Sequence, residues 1–198
     1  MRTHDDFMQD VATSSTATDA VDEEHPRCKR TRTVHPSQAI CRDWMIVSGN
    51  CHYARDRASF ATYSAVATTI KSNIFSPHDE MQVAGVGSVH VPVLRRPDDP
   101  TPHVLVLEGV LHIPEAICNG FNPLLVGSSM SCGLDYWEGA DRRGTPMWFG
   151  LPFAGFGRLV LAGGVQGESD LIEGRQYTLS LYISPGEKEI IMAQAMGL

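Results

Sequence analysis

Val89, Val91 and Val93 alternate with His90, Pro92 and Leu94, and no comparably long segment has apolar residues at helical spacing. A strict period of two sends successive side chains to opposite faces, which is the signature of a strand with one buried side. Other apolar runs are short and bounded by turn residues. Trp44 to Val47 ends at Ser48-Gly49-Asn50, Met81 to Ala84 ends at Gly85-Val86-Gly87, and Val104 to Leu107 extends through Val110 and Leu111. These predict strands near 44–47, 81–84, 88–94 and 104–111. Arg158 to Leu161 and Tyr177 to Ile183 predict two more, the latter from Tyr177, Leu179, Leu181 and Ile183 alternating with polar or half-polar residues. Strand, turn, strand without long amphipathic helices favours an all-β barrel or sandwich.

The remaining segments are read around these strands. Pro92 removes a backbone donor, which places its strand at an edge or a bulge. Arg95 to Pro102 reads as a loop. Ala54 to Tyr63 predicts a short helix or helical turn, because Phe60 and Tyr63 stand three apart. Glu187 to Ala195, introduced by Pro185-Gly186, predicts a terminal helix. Ten of the 18 glycines fall between Gly133 and Gly174, and no strand pattern is assigned across most of that stretch.

Residues 1–36 form a separate tail in this reading, with the folded domain at 37–198. ATSSTATDAVDEE is polar and acidic, with too few apolar side chains to offset the entropy of ordering, so the tail is expected to be disordered. RCKRTR follows, clustering Arg27, Lys29, Arg30 and Arg32. That patch is a candidate nuclear address or nucleic-acid contact, against the plainer reading of a solvated linker. A net charge of −7 argues against bulk attraction to nucleic acid. No apolar run is long enough to span a membrane, and the acidic N-terminus lacks a secretory signal pattern. An intracellular protein, cytoplasmic or nuclear and not secreted, is expected.

The five cysteines are Cys28, Cys41, Cys51, Cys118 and Cys132. An odd number without a signal segment argues against a disulfide framework. No Cys-x-x-Cys pair occurs, and the spacing of Cys41, Cys51 and His52 fits no common zinc pattern. No metal and no cofactor is expected, and the thiols are read as buried.

Three blocks carry a family resemblance. Asp43-Trp44-Met45-Ile46-Val47-Ser48-Gly49-Asn50-Cys51-His52 resembles the start of a copia-type retrotransposon protease: a tryptophan, two apolar residues, Asp-Ser-Gly-Ala, then a histidine. Val83-Ala84-Gly85-Val86-Gly87-Ser88-Val89 is similar to that family's Gly-x-Gly-x-Val segment. Leu107-Glu108-Gly109-Val110-Leu111-His112-Ile113-Pro114, with Cys118-Asn119 after it, is similar to the Leu-x-x-Val-Leu-(His/Tyr)-x-Pro segment and its following Asn. Order and rough spacing match over about residues 40–130. Ala54-Arg55-Asp56-Arg57-Ala58-Ser59-Phe60 resembles a run found in cellular proteins that carry a degenerate form of this domain. The resemblance implies a small retropepsin-like β-barrel with short helical turns, and a homodimer.

The departures fall on the active-site turn. An aspartic protease activates water between two carboxylates that share a proton. The position matching the aspartate is Val47, which has no group to accept a proton. Asn50 replaces the alanine, and Trp44 to His52 is one residue short. Val47, Ser48, Gly49 and Asn50 are therefore the candidate site, read as a degenerate turn with no catalytic residue. Asp43 and Asp56 are the alternative carboxylates: Asp43 should lie a strand's length away, and Asp56 reads as a cap or an ion-pair partner of Arg55 or Arg57. Gly127-Ser128-Ser129-Met130-Ser131 lacks the closing glycine of a nucleophile elbow, and Gly155-Phe156-Gly157 lacks a dinucleotide loop's third glycine. Both read as turns. His52 is expected to hydrogen-bond the turn, and His112 to close a strand. Trp44, Trp137 and Trp148 read as core or groove residues.

Three functions follow. The first is a non-catalytic domain acting at most as an interaction module with an unknown partner. The second is a homodimeric aspartic endopeptidase with a displaced carboxylate. The third is a nucleic-acid-associated protein using RCKRTR.

Overall fold

The computed structural model describes residues 40–71, 80–166 and 169–197. The tail, the basic patch and Cys28 lie outside them. The described chain is mostly β. Ten strands form one sheet in the order β3-β4-β5-β2-β6-β1-β10-β9-β8-β7. They are β1 (Trp44–Ile46), β2 (Tyr53–Ala54), β3 (Phe60–Lys71), β4 (Glu80–Arg96), β5 (Asp99–His112), β6 (Asn119–Phe121), β7 (Ser131–Cys132), β8 (Trp137–Ala140), β9 (Pro146–Phe153) and β10 (Phe156–Leu159). A single α-helix among the described residues, α1 (Pro185–Ala195), follows them. It is not long and apolar enough to cross a membrane.

The expected barrel is not closed. β3 and β7 stand at opposite ends of the strand order and do not pair. The sheet bends back on itself at one place, where Val93 bridges Leu161 and the Leu94 N–H donates to the Val160 carbonyl at 3.0 Å.

β4 joins the two strands predicted at 81–84 and 88–94. The glycines between them are in the ladder, Gly85 opposite His112 and Gly87 opposite Val110. Gly85 is required by packing: a Cβ there would lie 2.2 Å from the Tyr63 ring. Val89, Val91 and Val93 all point into the core, as their alternation predicts, and Leu105 and Leu107 meet them from β5. Pro92 lies past the last β3 partner of β4, the Phe60–Val89 pair, so its missing N–H breaks no β3 bond.

Three expectations are corrected. Arg95 to Pro102 is not a loop: β4 runs to Arg96 and β5 starts at Asp99, with Asp99 Oδ1 accepting from the Thr101 N–H at 2.9 Å to tighten the turn. Ala54 to Tyr63 holds only one 3₁₀ turn, Arg57–Ser59, before the long β3 begins. Tyr177 to Ile183 is not a strand of the sheet; its one ladder contact is a bridge from Leu181 to Gly49. Its alternation is nonetheless real, since Leu179, Leu181 and Ile183 are buried. The expected strand at 158–161 is found as β10 with Leu161 bridging just beyond it.

The terminal helix starts at Pro185, two residues before the expected Glu187. Ser184 Oγ accepts from the Glu187 N–H, and the Glu187 carboxylate accepts from the Ser184 N–H at 2.7 Å. This reciprocal capping box satisfies donors that the first turn would leave bare.

β1 is buried on both faces, which is why it reads as an unbroken apolar run. Met45 and Val47 enter one core with Ile70, Val83, Ile113 and Leu181. Trp44 and Ile46 enter the other with Phe121, Trp148 and Leu159. β1 pairs in parallel with β6 and antiparallel with β10. The chain therefore leaves the middle of the sheet at Val47 and makes the candidate turn there.

Candidate functional site

The turn Val47–Asn50 is held from two sides. On the sheet side, the Val47 N–H donates to the Phe121 carbonyl at 2.9 Å, extending the β1–β6 ladder by one bond. The Val47 side chain is 5% exposed, inside the apolar cluster of Met45, Cys51 and Leu181.

On the other side lies the extended segment 179–183. The Asn50 N–H donates to the Leu181 carbonyl at 3.2 Å. Asn50 Nδ2 donates to the Ile183 carbonyl at 2.7 Å, and Oδ1 accepts from the Ile183 N–H at 2.9 Å. Ser48 meets Ser180 twice, through its N–H at 3.1 Å and between hydroxyls at 2.8 Å. Tyr53 Oη donates to the Leu179 carbonyl at 2.7 Å. These side-chain bonds replace a strand partner, so 177–183 is extended without being a ladder member. Gly49 has φ +116°, and a Cβ there would lie 2.2 Å from the Leu181 carbonyl oxygen. Only glycine fits this approach.

Asn122 supports the turn from below. Its Nδ2 donates to the Gly49 carbonyl at 2.9 Å, while its Oδ1 accepts from the Leu124 N–H at 3.0 Å and caps the 3₁₀ turn Pro123–Val126. Its own N–H donates to His52 Nδ1 at 3.1 Å. His52 does not bond the turn directly, as the sequence suggested, but through Asn122. Burial, with the ring stacked on Phe121, pushes the His52 pKa down to about 4. Asn122 was not singled out from sequence, although Asn-Pro at a helical start is a recognisable cap signal.

The alternative carboxylates are engaged elsewhere. Asp43, buried just before β1, pairs with Arg158 at 3.3 Å and accepts from Ser169 Oγ. Asp56 accepts from the Cys41 N–H at 2.7 Å and pairs with Arg55 at 3.4 Å, the ion pair expected of it. It occupies the cap position of the Arg57–Ser59 turn, but its side chain makes no capping bond. The structure brings neither carboxylate into the turn's hydrogen-bond network.

Other sequence candidates have structural roles. His112 ends β5 and its Nδ1 meets Tyr63 Oη at 2.8 Å, in an aromatic cluster with Phe60. Ser128 Oγ accepts from Trp148 Nε1 at 3.0 Å and donates to the Ser129 carbonyl. Gly155 lies in the β9–β10 turn and Gly157 in β10. Trp44 and Trp148 are in the core, and Trp137 packs against it.

Cys41, Cys51 and Cys118 are free and buried, as expected; Cys132 is free but exposed in β7, against the expectation of a buried thiol. Burial pushes the Cys51 and Cys118 pKa values up to about 12, so neither supplies a thiolate near neutrality. Among the described residues no group of three or more His, Cys, Asp or Glu side chains could hold a metal ion.

No protein-family model matches the chain, and neither a curated protein nor a solved structure matches it. The class of the protein accordingly rests on its architecture, a mostly-β chain built on one open sheet.

Proposed function

We propose that this chain is a non-catalytic protein of the copia-type retrotransposon Pol kind, a degenerate retropepsin-like domain acting at most as an interaction module. The observation that carries the reading is Val47. The resemblance puts a catalytic aspartate at this position, and the residue present is an apolar side chain packed among Met45, Cys51 and Leu181. The rest of the turn is committed to holding Leu179–Ile183 through Ser48 and Asn50. Water activation needs a carboxylate with a free face, and Asp43 and Asp56 are both bound to other partners. This weighs against the displaced-carboxylate endopeptidase. The nucleic-acid reading depends on residues 27–32, outside the described residues. Free thiols throughout the described chain suit a reducing, intracellular compartment.

The test is inhibitor binding. A statine-type transition-state analogue stabilises a folded aspartic protease by mass action. No change in melting temperature is expected at saturating analogue from pH 4 to 7. A clear rise would contradict the reading.

A further inference from the structure

Two edge stretches of the sheet, along β3 and along β5, differ in character. The β3 edge is covered by α1: Gln194 Oε1 accepts from the Ala67 N–H at 3.1 Å and Glu187 Oε1 from the Lys71 N–H at 2.7 Å. Blunting an edge in this way prevents strand addition. Among the described residues the β5 edge is unpaired between its start and Gly109, because β2 meets β5 only at Leu111 and His112.

The orientation of the bare edge follows from the ladder. Leu94 sends its N–H to Val160, away from β5, so Leu94 and Pro102 are a pair without mutual hydrogen bonds. Antiparallel pairs alternate. Pro92–Val104 and His90–Val106 belong to the same class, and a proline at 92 is consistent with that. The N–H and C=O of Val104 and Val106 therefore point outward, and both side chains are about half exposed.

A groove of about 350 Å³ runs along this edge, walled on its far side by Leu125, Val126 and Met147. His52 lines it. That ring is 2% exposed, and its Nδ1 accepts from Asn122, which puts the ring proton on Nε2. Nε2 has no hydrogen-bond partner among the described residues. It is not among the buried polar atoms left without a partner, so it keeps access to the groove that the ring lines beside the outward backbone groups of Val104 and Val106.

We propose that this groove binds an extended segment of a partner protein, which adds as an antiparallel strand to β5 at Val104–Val106 and offers a carbonyl to His52 Nε2. Strand addition supplies affinity through main-chain bonds and specificity through alternate side chains. Because Leu125, Val126 and Met147 line the groove together with Val104 and Val106, a second copy's β5 would bring its own sheet against Leu125 and Met147, whereas an isolated segment would not. Charge sets the order of charged residues along that segment. Glu108 lines one end of the groove and His103 the other, where Arg95 Nη2 donates to His103 Nδ1 at 3.1 Å and Arg95 Nε is buried without a partner. An antiparallel segment with alternating apolar residues, basic near its N-terminus and acidic near its C-terminus, matches both ends. The inference goes beyond the proposed function, since it stands on β5 and His52 and holds whatever the turn does.

The experiment selects displayed random heptapeptides on the full chain, with Val104→Pro and Val106→Pro as counter-targets. Each proline removes an outward N–H together with the valine side chain and fixes φ, so it is first checked for an unchanged melting temperature and compared with Val104→Ala and Val106→Ala, which keep the N–H; Glu108→Lys is a further variant, which leaves the backbone intact. Expected are peptides with alternating β-branched or aromatic residues and an early Lys or Arg. Synthetic copies should bind the proline variants at least tenfold more weakly, lose their basic preference on Glu108→Lys, and slow amide exchange at Val104 and Val106. No enrichment, or equal binding to a folded proline variant, would overturn the proposal. Slow exchange of both amides in a peptide-free dimer would overturn it in favour of a second copy. Cleavage of a selected peptide would contradict the non-catalytic reading and leave the groove standing.

Discussion

The carboxamide of Asn50 and the backbone of Ile183 form a closed two-bond ring, Nδ2 donating to the carbonyl and Oδ1 accepting from the N–H. One side chain thereby does what a neighbouring strand residue does in a ladder. It joins the turn after β1 to a segment more than a hundred residues later.

Asn50→Ala removes both bonds and is expected to lower stability by about 1–3 kcal/mol, read from urea unfolding. Asn50→Asp keeps the acceptor and sets a carboxylate against the Ile183 carbonyl. Its deficit relative to wild type at the same pH should shrink in acid, where a protonated carboxyl can donate. A deficit independent of pH would show that the ring is not what holds Ile183.

Gly49→Ala should be worse than any other single-methyl change in the turn. The added Cβ meets the Leu181 carbonyl at 2.2 Å, and φ is +116°. Backbone strain of this kind costs about 1–3 kcal/mol, and the segment 179–183 must also shift. A melting temperature within a degree or two of wild type would contradict the close approach.

Legibility followed the physics of each element. The β4–β5 pair was readable where Val89, Val91 and Val93 face Leu105 and Leu107, because that stretch, between the register shifts at Gly87/Val89 and Leu94/Arg96, keeps strict parity. β3 was not, because irregularities between Phe60 and Thr62 and between Ala65 and Thr68 break parity. Its inward residues, Phe60, Val66 and Ile70, with Tyr63 half-buried, then fall at helix-like spacing. The segment 177–183 showed true alternation, yet sequence cannot reveal that Ser48, Asn50 and Tyr53 side chains stand in for a partner strand. At the site, Ser48-Gly49-Asn50 was legible as a turn. Asn50 registered only as a departure from a pattern, and its clasp on Ile183 emerges only when the chain is folded.

His52 carries a pH prediction. Its folded pKa is about 4, below the ordinary 6.5, because burial disfavours the charged ring. Between those values the unfolded chain binds the proton and the folded chain does not, so stability falls as pH drops from about 6.5 toward 4. The full difference corresponds to about 3 kcal/mol. The His52 ring resonances should titrate near pH 4 by NMR. A midpoint above 6 would mean that the ring is solvated and that Asn122 does not donate to Nδ1.

Arg158 should matter more than a surface arginine. It pairs with the buried Asp43 at 3.3 Å and also stacks over the Phe153 ring. Arg158→Met leaves the Asp43 carboxylate buried with Ser169 alone. Removing one partner of a buried pair costs about 3–5 kcal/mol; partial exposure of the Arg158 side chain places the expected loss toward the lower end. Asp43→Asn combined with Arg158→Met should recover part of it, measured by a double-mutant cycle.

The central claim is that the turn has lost its chemistry, and peptide cleavage tests it most directly. Wild type, Val47→Asp, Asp43→Asn and Asp56→Asn are assayed on a mixed peptide substrate from acidic to neutral pH. None is expected to cleave. Val47→Asp is expected also to lose stability, because it buries a carboxylate in an apolar cluster, and its turn remains tied to Leu181 and Ile183 by Asn50. Wild-type cleavage that disappears on Asp43→Asn or Asp56→Asn would contradict the account and establish a displaced catalytic carboxylate.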